Sequence, residues 1–452
     1  MRSTAARGLR LVMLIIFVLS LAPLVAFAQG VDPSSVSQNL DPGATFTLTK
    51  TVHTPAIPPN PDIVFLSDTT GSMGSAIANV QANIGSIAST VLTAQPTAQF
   101  AVAEYKDGDP NTCPSDPFAF KLDQALMPGT ADVSAWSASG GCDTPESQLY
   151  ALDQLATGAV TFRPNSTRII VWFGDASGHD PALGVTLSGA ISALQAANIA
   201  VIAIPVNSGA GDGLDATGQA TAITTATGGE LMPAATPDQV SGAILSGLGN
   251  LPVTVTPQLA SADTGLSVGW DAPSKTVTSG TDATFTETIS VAADAPQGTT
   301  LHATVDFLLN GQHQDGFTET IAITVNDITP PVPACEPSTN PAGKNVPGAN
   351  ANPKAGQNPD GFYLLTATDN VDAASALKLY VADSAGSFVA GPYASGTTVK
   401  ITQAPGATPG ATPMAGAVSA HITLNGDALV YAVDTAGNQS ARVACLVPPP
   451  PK

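Results

Sequence analysis

Residues 61–74 read Pro-Asp-Ile-Val-Phe-Leu-Ser-Asp-Thr-Thr-Gly-Ser-Met-Gly. The run from Asp62 to Leu66 is short, continuous and apolar, the pattern of a strand covered on both faces. From Gly74 to Leu92, Ile77, Val80, Ile84, Ile87, Ala88 and Val91 fall on one helical stripe. Strand, polar turn and helix in that order predict a parallel α/β sheet. The turn Asp68-Thr69-Thr70-Gly71-Ser72-Met73-Gly74 lies where the strand ends, which is the edge where such sheets bind ligands.

The alternation continues outward. Gln99 to Glu104, Arg168 to Phe173 and Ile199 to Pro205 are expected strands, and Ser147 to Leu155, Leu187 to Ala197 and the Gly-rich Asp238 to Leu248 are expected helices. Residues 61–249 therefore predict a doubly wound, mostly parallel, Rossmann-like α/β domain. Its flanks differ. Residues 44–52 place Phe46, Leu48 and Val52 on one face and Thr45, Thr47, Thr49 and Thr51 on the other, and similar strings recur at Ala283 to Ile289 and Gly316 to Ile321. A β-sandwich is expected over 250–328, with residues 29–60 supplying a strand to it, so that the α/β domain is inserted in the sandwich or followed by it. A second β-sandwich is expected over 329–452, with strand-like runs at Phe362 to Thr368, Leu377 to Val381, Val418 to Leu424 and Leu429 to Val433. Stretches rich in Gly, Asn and Pro, Ser338 to Asp360 and Ala404 to Gly416, predict long loops there.

Of the 452 residues 43% are apolar, 11% charged and 5% aromatic, with 42 Gly and 38 Pro, a loop-rich globular composition rather than a coiled coil or a charged disordered tail. The formal charge of −20 repels phosphate backbones and attracts divalent cations, which excludes nucleic acid as a partner. Arg2, Arg7 and Arg10, the apolar run Leu11 to Ala22 and Ala26-Phe27-Ala28 make residues 1–28 a secretory signal peptide. No later segment is apolar enough to span a bilayer, so the mature chain is expected to be secreted or held at a cell surface without membrane insertion. Four Cys in an exported chain favour disulfides. Cys113 and Cys142 lie in one domain and Cys335 and Cys445 bracket another, which pairs them in that order. His53, His179, His302, His313 and His421 are scattered, without the spacing of a zinc site.

Asp68, Thr70 and Ser72 present a carboxylate and hydroxyls at alternate positions. Glu146, in Asp143-Thr144-Pro145-Glu146, and Asp175, after Val171-Trp172-Phe173-Gly174, fall at matching ends of the same sheet. Hard oxygen ligands of this kind suit Mg²⁺, with Ca²⁺ or Mn²⁺ as alternatives. Three other readings compete for these residues. Asp68 and Thr70 are ordinary helix-capping types. Ser72 as a nucleophile lacks the first Gly of G-x-S-x-G, where Thr70 stands, and has no placed His. An aspartyl-phosphate motif would need a Lys and an acidic pair that the sequence does not place. Capping accounts for one segment, whereas a cation accounts for three.

This set resembles a von Willebrand factor A domain with a metal-ion-dependent adhesion site, whose motif is Asp-x-Ser-x-Ser, a later Thr or Glu loop, and a second Asp after the central strand. Asp68, Thr70, Ser72 and Asp175 match residue by residue, with Thr70 in the place of a Ser. The Asp-Thr-Pro-Glu loop is nearer to the integrin β-subunit version, which favours Glu146 over Thr144 as the third ligand. Gly74 and Ser75 stand where a neighbouring integrin-type site has acidic residues, so that site is expected to be missing. A further calcium-type site is half matched, since Asp107, Asp143 and the Pro145 carbonyl would share Glu146, with Gly141 where an Asn is expected. The stretch from Thr329 to Cys445 resembles bacterial immunoglobulin-like modules.

The resemblance implies a secreted bacterial binding or adhesion protein, not an enzyme. Its cation would take a Glu or Asp of an extracellular or cell-surface protein, with a shift of the last helix passing occupancy to the sandwich. The rival is a structural surface or matrix protein whose metal only stiffens the domain. Asp369, Asp372, Asp383 and Asp434 read as turn chemistry before a structural Ca²⁺. Asn165-Ser166-Thr167 and Asn438-Gln439-Ser440 match glycosylation acceptors and read as surface turns.

Overall fold

A computed structural model describes residues 29–109, 113–338, 360–403 and 406–445. The expected signal peptide and residues 339–359 of the first expected loop lie outside the described residues. At the centre is a six-stranded sheet made of β1 (Pro61–Asp68), β2 (Gln99–Tyr105), β3 (Phe120–Pro128), β4 (Thr167–Gly174), β5 (Ile199–Pro205) and β6 (Glu230–Leu231), in the order β3-β2-β1-β4-β5-β6. Every neighbouring pair is parallel except β2 and β3. Five helices accompany it: α1 (Gly74–Ala94), α2 (Gln148–Gln154), α3 (Leu187–Ala196), α4 (Gln219–Thr227) and α5 (Val240–Gly249).

Alternation along β1 explains its unbroken apolar run. Ile63 and Phe65 pack with Ile77, Val80, Ile244 and Leu248 on the face of α1 and α5. Val64 and Leu66 pack with Leu149, Leu152, Leu194 and Ile223 on the face of α2, α3 and α4. A side chain of this size contributes roughly 1.5–3 kcal/mol when fully buried, so a polar residue at any of these four strand positions would be felt on one face or the other. The expected strands and helices appear within a few residues of their sequence limits. The sequence analysis did not place β3, α4 or β6.

Two further sheets flank this domain. One is four-stranded, with Thr45–His53 between Gly30–Asp32 and Asp282–Val291, and Leu266–Trp270 beyond. The other is five-stranded and runs Lys275–Thr278, Pro252–Ala262, Thr300–Leu309, Thr318–Val325, Ser35–Leu40, the last pair being parallel. Val52, Phe285 and Ile289 from the first join Val255, Val305, Phe307 and Ile321 from the second in one buried cluster. The face of 44–52 that carries Phe46, Leu48 and Val52 also carries Lys50, which is fully buried. Both ends of the α/β domain are tied to these sheets, by Gly280 N–H donating to Pro55 O at 2.8 Å and Ser279 N–H to Leu251 O at 2.9 Å.

The last region also has two sheets. Val332–Ser338, Asp360–Thr368, Thr397–Gln403, Ala420–Leu424 and Gly410–Pro413 form one; Val389–Ala394, Lys378–Asp383, Ala428–Val433 and Val443–Ala444 form the other. Leu365, Ile401 and Ile422 meet Leu379, Val381 and Val430 in a common cluster with Cys335 and Cys445. Cys335 is bonded to Cys445 and Cys113 to Cys142, the pairing expected from their positions. No described helix is long and apolar enough to cross a membrane.

Candidate metal centre

From β1 the chain winds through α1 to β2 on one side, and from β4 through α3 to β5 on the other, so the central neighbours β1 and β4 form a topological switch point. Asp68 ends β1 and Asp175 directly follows β4, which brings the two carboxylates to one crevice. Thr70 donates twice to Asp68 Oδ1, from its backbone N–H at 2.8 Å and its hydroxyl at 2.7 Å. Ser72 donates to Asp175 Oδ1 at 3.0 Å, and its oxygen lies 3.5 Å from that of Thr70. Ser208, just beyond β5, donates to Asp175 Oδ2. Neither Thr70, before the 3-10 turn Gly71–Met73, nor Met73, before α1, makes a side-chain cap bond, so capping does not use these oxygens.

Glu146 arrives on the third segment. Its N–H donates to Ser177 O at 2.8 Å and its carbonyl accepts from His179 N–H at 3.0 Å, which anchors the loop beside the strand end of β4. The approach to it is fixed by the Cys113–Cys142 disulfide and by Asp116, whose Oδ2 accepts from Gly141 N–H at 3.0 Å. Gly141 has φ +87°, and a Cβ there would sit 3.2 Å from Thr70 Cβ and 3.4 Å from Glu146 Oε1. The position expected to carry an Asn is thus one where a side chain would press on the site.

Asp68, Glu146 and Asp175 are at most 3% exposed. Asp68 Oδ2 and Glu146 Oε2 are buried and accept no hydrogen bond. Burial pushes the Glu146 carboxyl up to about 10, with the charges of Asp68, Asp107 and Asp116 adding to it. Burial likewise raises Asp68 to about 7, with Asp175 adding and Lys106 opposing. Above them a cleft of about 180 Å³ is lined by Thr70, Ser72, Gly141, Thr144, Glu146 and Gly211. Buried carboxylates with orphaned oxygens need a proton or a cation. The donor set is all oxygen, so these five residues could hold Mg²⁺, Ca²⁺ or Mn²⁺ and would suit zinc or copper poorly. Thr144 lines the cleft but is exposed. Gly74 and Ser75 open α1 and add no carboxylate.

Asp107, Asp143 and His179 form a second group beside the first. Asp107 is fully buried, and His179 Nε2 lies 3.1 Å from its Oδ1 and 3.5 Å from Asp143 Oδ1. Burial raises Asp107 to about 6 against the opposing effect of His179. Of the histidines scattered along the sequence, His179 thus stands beside the acidic loops, and Pro145 stands half-buried between Thr144 and Glu146. A third group is Asp327, Asp369 and Asp434. Asp372 instead accepts from Thr435, at 2.6 Å from N–H and 2.9 Å from the hydroxyl, and Asp383 accepts from Ser387 N–H at 2.7 Å. Asn165 has φ +60° in a turn before β4, and the Asn438 amide is engaged by Asp327 O at 2.9 Å.

Lys106 escaped the sequence analysis. It is buried under the Asp68 loop and donates to Ser139 O at 2.5 Å and to Thr69 O. His179, Asp116 and Asp327 were also missed, because their contacts are made by loops distant in sequence. Ser208 was within reach of the rule that favours strand ends, being three residues past β5.

Residues 62–209 match the family model of the von Willebrand factor A domain, so the chain contains such a domain, and the α/β layers continue past the match through β6 to α5. A domain of this class points to protein–protein interaction. Over 122 residues the chain is 28% identical to "Alpha-protein kinase vwkA" of Dictyostelium discoideum, a match covering 26% of this chain and 19% of that protein. The chain thus spans about a fifth of the length of that curated relative.

Proposed function

We propose that the chain is a secreted adhesion or binding protein whose von Willebrand factor A domain holds a divalent cation and through it captures a carboxylate of a partner protein. The observation that carries this reading is the pair of buried, unbonded oxygens, Asp68 Oδ2 and Glu146 Oε2, on segments that meet at one cleft. Mg²⁺, with Ca²⁺ or Mn²⁺ as alternatives, would supply a positive centre with a position left for an outside oxygen ligand. Asp68 and Asp175 supply the charge that balances it. Thr70 and Ser72 hold those carboxylates in place and offer their own oxygens, and Glu146 closes the set. The exposed cleft gives a Glu or Asp of an extracellular or cell-surface protein its way in.

In this reading the chain is not an enzyme. Ser72 donates to Asp175, one of the proposed cation ligands, rather than to a His, and Lys106 is occupied by backbone carbonyls. The export signal in the first 28 residues and the two disulfides support an extracellular place. We read the paired sheets on either side as immunoglobulin-like β-sandwiches, the α/β domain being inserted in the first. The integrin-like form of the site and a bacterial source rest on the residue pattern alone.

The test is calorimetric titration of Mg²⁺, then Ca²⁺, into the metal-stripped full chain and its Asp68→Ala variant. Saturable binding that the variant loses is expected, and no binding by the intact chain overturns the reading. Cation binding without EDTA-sensitive retention of any carboxylate-bearing extracellular protein would favour the rival structural role.

A further inference from the structure

Between the two sheets that flank the α/β domain lies a group of charges remote from the metal centre. Lys50, Glu287 and Glu319 are each 0% exposed. Lys50 and Glu287 stand on adjacent strands of one sheet, in the register that sets Lys50 opposite Phe285 and Leu48 opposite Glu287. Glu319 comes from Thr318–Val325 of the other sheet. Lys50 Nζ is 2.5 Å from Glu319 Oε1 and 3.7 Å from Glu287 Oε2, and it donates to Pro33 O at 2.6 Å. Both oxygens of Glu287 and Oε2 of Glu319 accept no hydrogen bond from a donor. Val52, Phe285, Val305 and Ile321 belong to the surrounding core, so water is kept out. An ion pair in such a place gains little over apolar packing, and a second carboxyl with no donor makes it worse.

We propose that Lys50 and Glu319 condense into an intramolecular isopeptide bond, with Glu287 carrying the proton. The Lys50 ammonium first passes a proton to the Glu319 carboxylate, which leaves a neutral amine against a neutral acid. Burial favours that exchange, since it pushes the Glu319 carboxyl up to about 8 although the Lys50 hydrogen bond opposes the rise. The Nζ lone pair then adds to Glu319 Cδ and forms the C–N bond. Glu287 takes a proton from the nitrogen and delivers it to the departing hydroxyl, the C–O bond breaks with its electron pair on oxygen, and one water leaves. Amine and acid become amide and water, and Glu287 ends as it began.

Proximity of this kind is equivalent to an effective concentration on the order of 10⁵ M or more, and a dry core withholds the water needed for the reverse step. The product removes the buried ammonium and one of the two buried carboxylates. The remaining amide N–H keeps its bond to Pro33 O. Of the three charges only that of Glu287 stays between the sheets.

The test is the intact mass of the full chain after reduction and unfolding. The wild type is expected to be lighter than its sequence by one water, and digestion should yield a branched peptide joining the segment of Lys50 to that of Glu319. Lys50→Met and Glu287→Gln, each close in size to the native residue, are expected at full sequence mass with wild-type circular dichroism. A wild type at full sequence mass after prolonged incubation overturns the proposal, as does a water loss that survives Lys50→Met. Loss retained in Glu287→Gln removes Glu287 from the chemistry. The wild-type mass and the branched peptide decide the bond even where a variant does not fold.

Discussion

Asp68 gives one oxygen to Thr70 and leaves the other without a donor, and this division sets how the site responds to pH. Asp68 rises from 3.8 to about 7 and Glu146 from 4.5 to about 10, so the metal-free folded chain keeps protons that the unfolded chain has released. Stability from these groups is fully present below the unfolded values and is lost as pH rises toward and through the folded ones. A metal-free chain should therefore melt higher at about pH 5 than at about pH 8, and Mg²⁺ should narrow the gap because cation binding displaces the same protons. Thermal melts of the wild type and Asp68→Asn check this, the variant losing part of the pH dependence; a wild type that melts higher at the alkaline end counts against it. Asp68, Thr70, Ser72 and Asp175 were legible because each follows an apolar strand whose end is plain in the sequence. His179 and Lys106 were not, since nothing local marks a side chain that reaches the site across a fold. Lys50 was hidden differently: strand alternation put it on the inner face, and its charge drew no attention among the Thr residues.

At the scale of the element, the loop from Cys113 to Cys142 brings Asp143 and Glu146 to the strand ends. The bond closes a 29-residue separation, for which the chain-entropy estimate is about 3.5 kcal/mol. Replacing both Cys113 and Cys142 by Ser should lower the stability of the domain by about that amount and weaken Mg²⁺ binding by roughly tenfold. Urea unfolding followed by tryptophan fluorescence measures the first and calorimetry the second; an unchanged midpoint would show that the loop is held by its hydrogen bonds alone. Strands β1, β4 and β5 were readable because they are covered on both faces and carry unbroken apolar runs. The edge strand β3 was not, for its Lys121, Asp123 and Gln124 interrupt the apolar residues and its register with β2 shifts. Seven of the nine residues of helix α4, between Gly218 and Gly228, are Thr or Ala, so its pattern is weak until the sheet beside it is known. Ser35–Leu40 has only Val36 buried and is held as a strand by its neighbour rather than by its own sequence.

Across the whole molecule, one path leads from the cleft to the flanking sheets. Ser72 precedes α1, and Asn79 of α1 grips the start of α5, accepting from the Ser241 hydroxyl at 2.7 Å and donating to Asp238 O at 3.1 Å. Helix α5 runs directly into Pro252–Ala262 of the five-stranded sheet. Asn79→Ala should speed hydrogen exchange across Val240–Gly249 several-fold, equivalent to about 1 kcal/mol, while leaving Mg²⁺ affinity nearly unchanged. Exchange that stays as slow as in the wild type would mean that apolar packing alone seats α5. The parallel pairing of Ser35–Leu40 with Thr318–Val325 has a mechanical consequence. Tension applied between the segment before Ser35 and the segment after Val325 would load that ladder in shear, all its hydrogen bonds together, instead of peeling them one by one. Residues 61–249 would then hang outside the line of force, and a partner could be gripped at the cleft while the stem beneath it is under strain.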